Sequence, residues 1–172
     1  MSVTIHWFRF DLRLSDKPAL TAAARSGQVV PVYILEDQIG EAKGQTPSGL
    51  QQTCAMGGAS KLWLHYALSS LQSDLQDRLI LRRGSAEQIL DELIDETGAQ
   101  QVTMTRCYAP HQLKTDRNIQ QKLKEKGVKV TVETGNLLWE PEQITKQDGT
   151  PYKVFTPFYR RGCLAADPPR QP

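Results

Sequence analysis

The sequence predicts a doubly wound, Rossmann-like α/β fold: a five-stranded parallel sheet with helices on both faces. Three observations predict it. Short β-branched and aromatic runs alternate five times with segments of helical period. One of these runs, Val29–Leu35, is almost continuously apolar, as a parallel strand covered on both faces requires. The first run ends in a burst of charge, Arg9, Asp11 and Arg13, directly before a helix start. In folds of this class ligands sit beyond the carboxyl ends of the strands, so the turn Phe8–Arg13 is the first candidate site.

Taken in order, Val3, Ile5 and Trp7 alternate with Thr4, His6 and Phe8 as strand one. Ser15 and Asp16 are the expected N-caps of a helix that has Pro18 in its first turn and carries Ala19, Leu20, Ala23 and Ala24. Ser26-Gly27 ends it. Val29–Leu35 follows as strand two, with Pro31 tolerable near its start or at a sheet edge. Residues 36–58, rich in Gly, Gln, Ser and Thr, read as a long loop, and loops of that length are functional or disordered. Ala59 to Gln76 reads as a helix with Leu64, Leu68, Leu71 and Leu75 on its buried stripe. Leu79–Leu81 is a short third strand, and Ser85 with Gln88 forms a capping box for the helix bearing Ile89, Leu90, Leu93 and Ile94, which Gly98 stops. Val102–Thr105 is strand four, followed by the turn Arg106–Pro110. His111–Lys126 is a polar helix with Ile119 and Leu123 as its core contact, and Val128, Val130 and Val132 mark strand five. The periodicity does not say which order the strands take in the sheet.

Residues 1–134 thus form the expected domain core, 135–164 a turn-rich C-terminal extension of it, and 165–172, AADPPRQP, the opening of an interdomain linker. A domain that gives way to a linker reads as a fragment of a longer chain.

The 172 residues, 39% of them hydrophobic, suit one soluble domain with a real core. A net charge of +2 gives no sign of an isolated nucleic-acid grip. With no run of ~18 apolar residues and no charged-then-apolar leader, the chain reads as neither membrane-spanning nor exported. Cys54, Cys107 and Cys163 are odd in number and far apart, which points to a reduced cytoplasmic protein without structural zinc. Neither nucleotide-phosphate loop motif is present. His6 and His65 read as structural or surface residues, and the carboxylates at 91, 92, 95 and 96 as a solvated helix face. Lys114, Arg117, Lys122, Lys124 and Lys126 likewise read as a wet helix face. The residues offer a binding scaffold without a catalytic set.

WFRFDLRLSDKPAL (residues 7–20) resembles the N-terminal signature of the DNA photolyase/cryptochrome family, W-F-R-x-D-L-R-L-x-D-N-x-A-L. The resemblance recurs at MGGASKLWLHYALSSL (56–71), TRCYAP (105–110), GNLLWEP (135–141) and GTPYKVFTPFYRR (149–161). It implies the family's α/β domain, which holds an antenna pigment: methenyltetrahydrofolate, a deazaflavin or a flavin such as FMN. It also implies a following helical domain, absent here, with the catalytic FAD and the pocket for a flipped pyrimidine dimer. The full-length protein would be a deoxyribodipyrimidine photo-lyase, and this fragment alone would be inactive. Its partners would be the pigment, the helical FAD-binding domain of the same chain and, only through the full-length protein, DNA; none would be a membrane. A cryptochrome-type photoreceptor and a stand-alone nucleotide or small-molecule module are the alternatives.

The resemblance places pigment-binding residues in three loops: Arg9, Phe10 and Asp11; Leu35, Asp37, Met56 and Ser60; and Arg106, Cys107, His111 and Gln112. It implies no catalytic and no metal residue. The competing reading makes Arg9, Asp11 and Arg13 a surface ion network or an interface with the helical domain, and Met56 a core filler. Lys17 stands where the family has Asn, and Thr105, Ala109 and Thr115 replace its Asn, Glu and Arg. His111-Gln112 replaces an Asn-Glu pair of folate-binding members, so an amide stands where a carboxylate would meet a pterin. These departures fall on the expected pigment wall and leave the pigment's identity open.

Overall fold

The computed structural model describes residues 2–36 and 56–169, with the side chain of residue 111 outside that description. Asp37 and most of the expected long loop therefore lie outside the described residues. Five strands form one parallel sheet: β1 (Ser2–Phe8), β2 (Gly27–Leu35), β3 (Ile80–Arg83), β4 (Gln101–Thr105) and β5 (Lys129–Glu133). Their order is β3-β2-β1-β4-β5. The chain winds outward from β1 to β3, then crosses back to lay β4 on the other side of β1. The switch point between β1 and β4 is where such a sheet opens a crevice at its carboxyl edge.

Helices α1 (Pro18–Ser26) and α2 (Gly58–Asp74) cover one face, while α3 (Ala86–Thr97) and α4 (Pro110–Glu125) cover the other. Period two assigns the faces. Ile5, Trp7, Val32, Ile34, Val102 and Met104 point toward α3 and α4 and pack on Ile89, Leu90, Leu93, Ile119 and Leu123. Phe8 and Tyr33 point the other way, where Leu64, Leu68, Leu71 and Leu75 of α2 meet them together with Leu20 of α1. Thr4 through Phe8 are all buried, because the central strand has a helical layer on both sides.

The α1 face is unusually polar for a core, and its groups pair across elements. Thr4 Oγ1 and Ser26 Oγ lie 2.7 Å apart, and His6 Nδ1 lies 2.8 Å from Thr103 Oγ1 on the neighbouring strand. Burial, reinforced by the nearby Lys17 charge, pushes the His6 imidazole down to about 3, so it is neutral in the folded chain. The structural reading of His6 holds.

Two expected caps are corrected. Ser15 and Asp16 do not cap α1: Asp16 takes a left-handed φ of 47°, and the N-cap position is held by Lys17, whose carbonyl accepts the Thr21 N–H at 2.9 Å. Pro18 then supplies the preset first turn. Ser85 occupies the N-cap of α3 but makes no side-chain capping bond; the Ala86 N–H is directed at Glu36 Oε1, 3.4 Å away at the end of β2. Pro31 sits just ahead of Val32, where pairing with β3 begins, as its missing N–H requires. Gly27 enters β2 at φ 143°, and a Cβ there would lie 2.3 Å from the Ser2 carbonyl oxygen.

Beyond β5, residues 135–169 form a small layer with its own centre. A short helix α5 (Phe155–Pro157) runs on into a π-turn (Phe158–Gly162) and a 3-10 turn (Cys163–Ala165). Gly162 sits against Ile144 and Tyr152, and the Trp139 indole N–H donates to the Asp167 carbonyl at 2.8 Å.

Candidate functional site

β1 ends at Phe8, and the chain from Arg9 to Lys17 crosses the carboxyl edge of the sheet at the switch point. The Arg9 guanidinium lies 4.4 Å over the Trp7 ring, and its Nη1 donates to Asp116 Oδ2 at 2.8 Å; both charged side chains are only 6% exposed. Asp11 is buried and both of its carboxylate oxygens are engaged: Oδ1 by Lys17 Nζ at 2.8 Å, Oδ2 by the Thr105 hydroxyl at 2.9 Å. Lys17 Nζ also donates to the Asp11 carbonyl at 2.5 Å and lies 4.6 Å over the Phe8 ring. Burial pulls the Lys17 ammonium below the usual lysine range, against the opposing pull of Asp11. Arg13 stays exposed and donates to the backbone carbonyls of Ser15, Asp16 and Gly135. Arg9 and Asp11 thus form an ion network that is buried, while Arg13 staples the loop to the extension.

The loop after β4 makes a second cluster. Arg106 forks to Glu140 at 2.7 Å and Glu142 at 2.9 Å, and the Tyr108 hydroxyl donates to Glu140 at 2.6 Å. The hydrogen bond that Arg106 donates to Glu142 holds its guanidinium above the usual arginine range, and burial, then the neighbouring Glu140, raises the Tyr108 phenol. The clamp ties the extension to the sheet. Cys107 is buried, and burial lifts its thiol to about 11, so it is protonated and a poor nucleophile at neutral pH. Gln112 is half-buried in the first turns of α4, where residue 111 also lies.

In the remaining loop, Leu35 closes β2 and packs on the Phe8–Tyr33 cluster. Met56 is half-buried and Ser60 exposed at the entry to α2. Phe10, 60% exposed, is the most open apolar group of the β1 loop. The structure therefore gathers Arg9, Asp11, Arg106 and Cys107 at one edge, but turns their polar groups on protein partners.

Four residues outside the sequence-derived set complete the site: Lys17, Asp116, Glu140 and Glu142. Asp116 carried a readable signal. It stands three and seven residues before Ile119 and Leu123, on the inward stripe of α4, where a carboxylate demands a buried cation. Asp116 also borders a cleft of about 360 Å³ between α4 and the end of β5, lined further by Leu113, Arg117, Gln120, Val132 and Thr134. Its Oδ1 is buried without a hydrogen-bond partner.

A family model described as DNA photolyase matches residues 4–172. The chain belongs to the DNA photolyase family. It is 42% identical over 98% of its length to a deoxyribodipyrimidine photo-lyase of Agrobacterium fabrum, and covers 33% of that protein. It is 34% identical to cryptochrome-2 of Arabidopsis thaliana over 94% of its length, covering 25% of that relative. The chain thus spans between a quarter and a third of these curated relatives. A class III photolyase structure from Agrobacterium tumefaciens superposes with a TM-score of 0.79 at 42% identity, over 98% of this chain and 34% of that one. A Sulfolobus tokodaii photolyase, reported with two FAD molecules and an implied light-harvesting cofactor, shares the fold at a TM-score of 0.73 and 22% identity, over 98% of this chain and 36% of its own. The domain is the N-terminal α/β domain of the photolyase family, and among its described residues no helix is long and apolar enough to cross a membrane.

Proposed function

We propose that this domain cradles a light-harvesting pigment for a photolyase whose chemistry resides in polypeptide beyond it. The observation that carries the reading is the inertness of the carboxyl edge. Asp11, Arg9 and Arg106 are held in ion pairs, the Cys107 thiol is protonated, and the His6 ring is buried and neutral. Such groups position a ring and exchange no protons with it. The fit is to a planar heterocycle. Phe10, exposed on the β1 loop, and Met56, half-buried before α2, supply apolar surface. With Asp11 engaged, amide and backbone groups, Gln112 among them, are left to meet a pterin edge.

When bound, the pigment supplies only absorbed light, passed on as excitation to an FAD elsewhere in the whole protein. The chain's own residues bind, orient and exclude water. The photo-lyase reading is favoured over the cryptochrome reading by the higher identity to the Agrobacterium enzyme, 42% against 34%. Titration of the purified chain with methenyltetrahydrofolate, a deazaflavin and FMN, followed by ligand fluorescence, tests the proposal. Saturable binding of one of them supports it; repair of dimer-containing DNA by the illuminated chain alone overturns it.

A further inference from the structure

Helix α2 has an outward face unlike those of α3 and α4. Its 17 residues carry only Lys61 and Asp74 as formal charges, whereas α3 and α4 turn rows of Asp, Glu, Lys and Arg to solvent. The buried stripe of α2, Leu64, Leu68, Leu71 and Leu75, meets Phe8 and Tyr33 of the sheet. The opposite stripe is where a surface helix ordinarily carries its charges. It holds Leu62, Trp63 and Tyr66 instead, 59%, 78% and 65% exposed. Full burial of an aromatic side chain removes ~150–250 Å², so Trp63 and Tyr66 alone leave roughly 200–350 Å² open. A patch of that size, poor in charge and rich in aromatic rings, has the composition of an interface core.

The stripe has an order along the helix. At about 100° per residue, Leu62, Trp63, Ser69 and Ser70 all lie within about 60° of Tyr66. All five are exposed. Tyr66 is the middle residue of the helix, with eight residues on either side. The His65 ring meets it edge-on at 5.3 Å, so Tyr66 has a neighbour within its own helix and stays open outward. Large side chains thus occupy the N-terminal half of the stripe, and serines the C-terminal half. A two-fold axis at Tyr66 lays a second α2 antiparallel on the first over its full length. It sets Trp63 against the partner's Ser70 and Leu62 against the partner's Ser69, once on each side of the axis. A parallel pair would set Trp63 against its own copy and serine against serine, crowding one end and leaving a gap at the other.

We infer that α2 is a dimerisation helix, in which Leu62, Trp63 and Tyr66 seat on the serine half of the same helix in a second copy of this chain. Self-complementarity selects the occupant, because an isologous contact requires one surface to be its own counterpart. Charge agrees with the pairing. The antiparallel arrangement brings Asp74 to the N-terminal end of the other helix, where the macrodipole favours a carboxylate. The open apolar area lies below the ~800 Å² per partner of a standard interface, so the dimer is reversible and forms at micromolar concentrations.

Sedimentation equilibrium of the chain of residues 1–172, from about 1 to about 300 µM, reads the association. The average mass is expected to climb from the monomer value toward twice that value. W63E is expected to hold the chain monomeric throughout, with circular dichroism unchanged because the side chain is exposed. S70W separates a fitted pair from mere stickiness. It adds apolar surface, yet it fills the seat of the partner's Trp63 and should weaken association about tenfold, the scale of overpacking a fitted contact. Should W63E fail to fold, S70W against the parent chain decides alone. F155E changes an equally exposed apolar site on the extension and should leave association unchanged. A monomer at every concentration overturns the inference and leaves the stripe to a different polypeptide. So does association that S70W leaves unchanged or strengthens, or that F155E abolishes. The readout needs no pigment, so its outcome is separate from that of the antenna proposal.

Discussion

Arg9 and Asp116 are 107 residues apart in sequence and 2.8 Å apart in space. The pair joins the loop after β1 to the inward stripe of α4 across the switch point, and it is almost wholly shielded from water. Arg9 also lies over Trp7, so its position is fixed from two sides. Removing one partner leaves the other buried and uncompensated, which costs about 3–5 kcal/mol. R9A and D116A are each expected to lower the urea midpoint by a large margin, while the apolar pair R9M/D116L should recover most of the loss. A loss in R9M/D116L equal to the sum of the R9M and D116L losses would show that the pair is not coupled.

Lys17 gives a second contrast. K17A strands the Asp11 carboxylate in the interior and is expected to destabilise the domain by about 3–5 kcal/mol. K17N keeps a donor for Asp11 without a buried charge and should be markedly milder. Denaturation of the two variants side by side reads the difference, and an alanine variant as stable as the asparagine one contradicts the arrangement.

The His6 imidazole titrates near 3 in the folded chain, against 6.5 when exposed. Between those values the unfolded chain binds a proton that the folded chain refuses, so stability falls as pH drops from about 6.5 toward 3. The loss from this group alone is on the order of several kcal/mol at the bottom of that window. The stability of H6Q should depend less on pH between 6.5 and 4 than that of the parent chain. An unchanged slope in urea unfolding series across that range would remove His6 from the account.

Most of the fold is legible in the sequence, because periodicity reports which face of an element is buried. The stripe Leu64–Leu75 and the alternation in β1 both follow from side-chain direction alone. Strand order is not legible: periodicity says that Trp7 is covered, not that Met104 is its neighbour. The loops that carry Arg9 and Arg106 are placed by topology, since each follows a strand at the carboxyl edge. Their chemistry is less so. Lysine ordinarily reads as solvated, and only the loop's path carries Lys17 inward to Asp11. Glu140 and Glu142 acquire their role when the extension folds back on Arg106, a contact across 34 and 36 residues. The missing cap at Ser85 has the same origin, since the parallel register brings Glu36 to the start of α3.

Cys107 offers a chemical check on the inertness of the site. With its thiol buried and held near 11, it should resist alkylation at pH 8 in the folded chain and react at once in denaturant. In a C54S/C163S background this is the sole thiol, and mass spectrometry counts the adduct. Rapid labelling of the native protein would mean an open, reactive edge.

The central claim is that this edge holds a light-absorbing ring and performs no reaction. Its most direct measurement is the near-ultraviolet and visible spectrum of the chain after incubation with each candidate pigment and gel filtration. One pigment is expected to co-elute with the parent chain and to be retained less by F10A. A chain that emerges colourless from all three incubations contradicts the account.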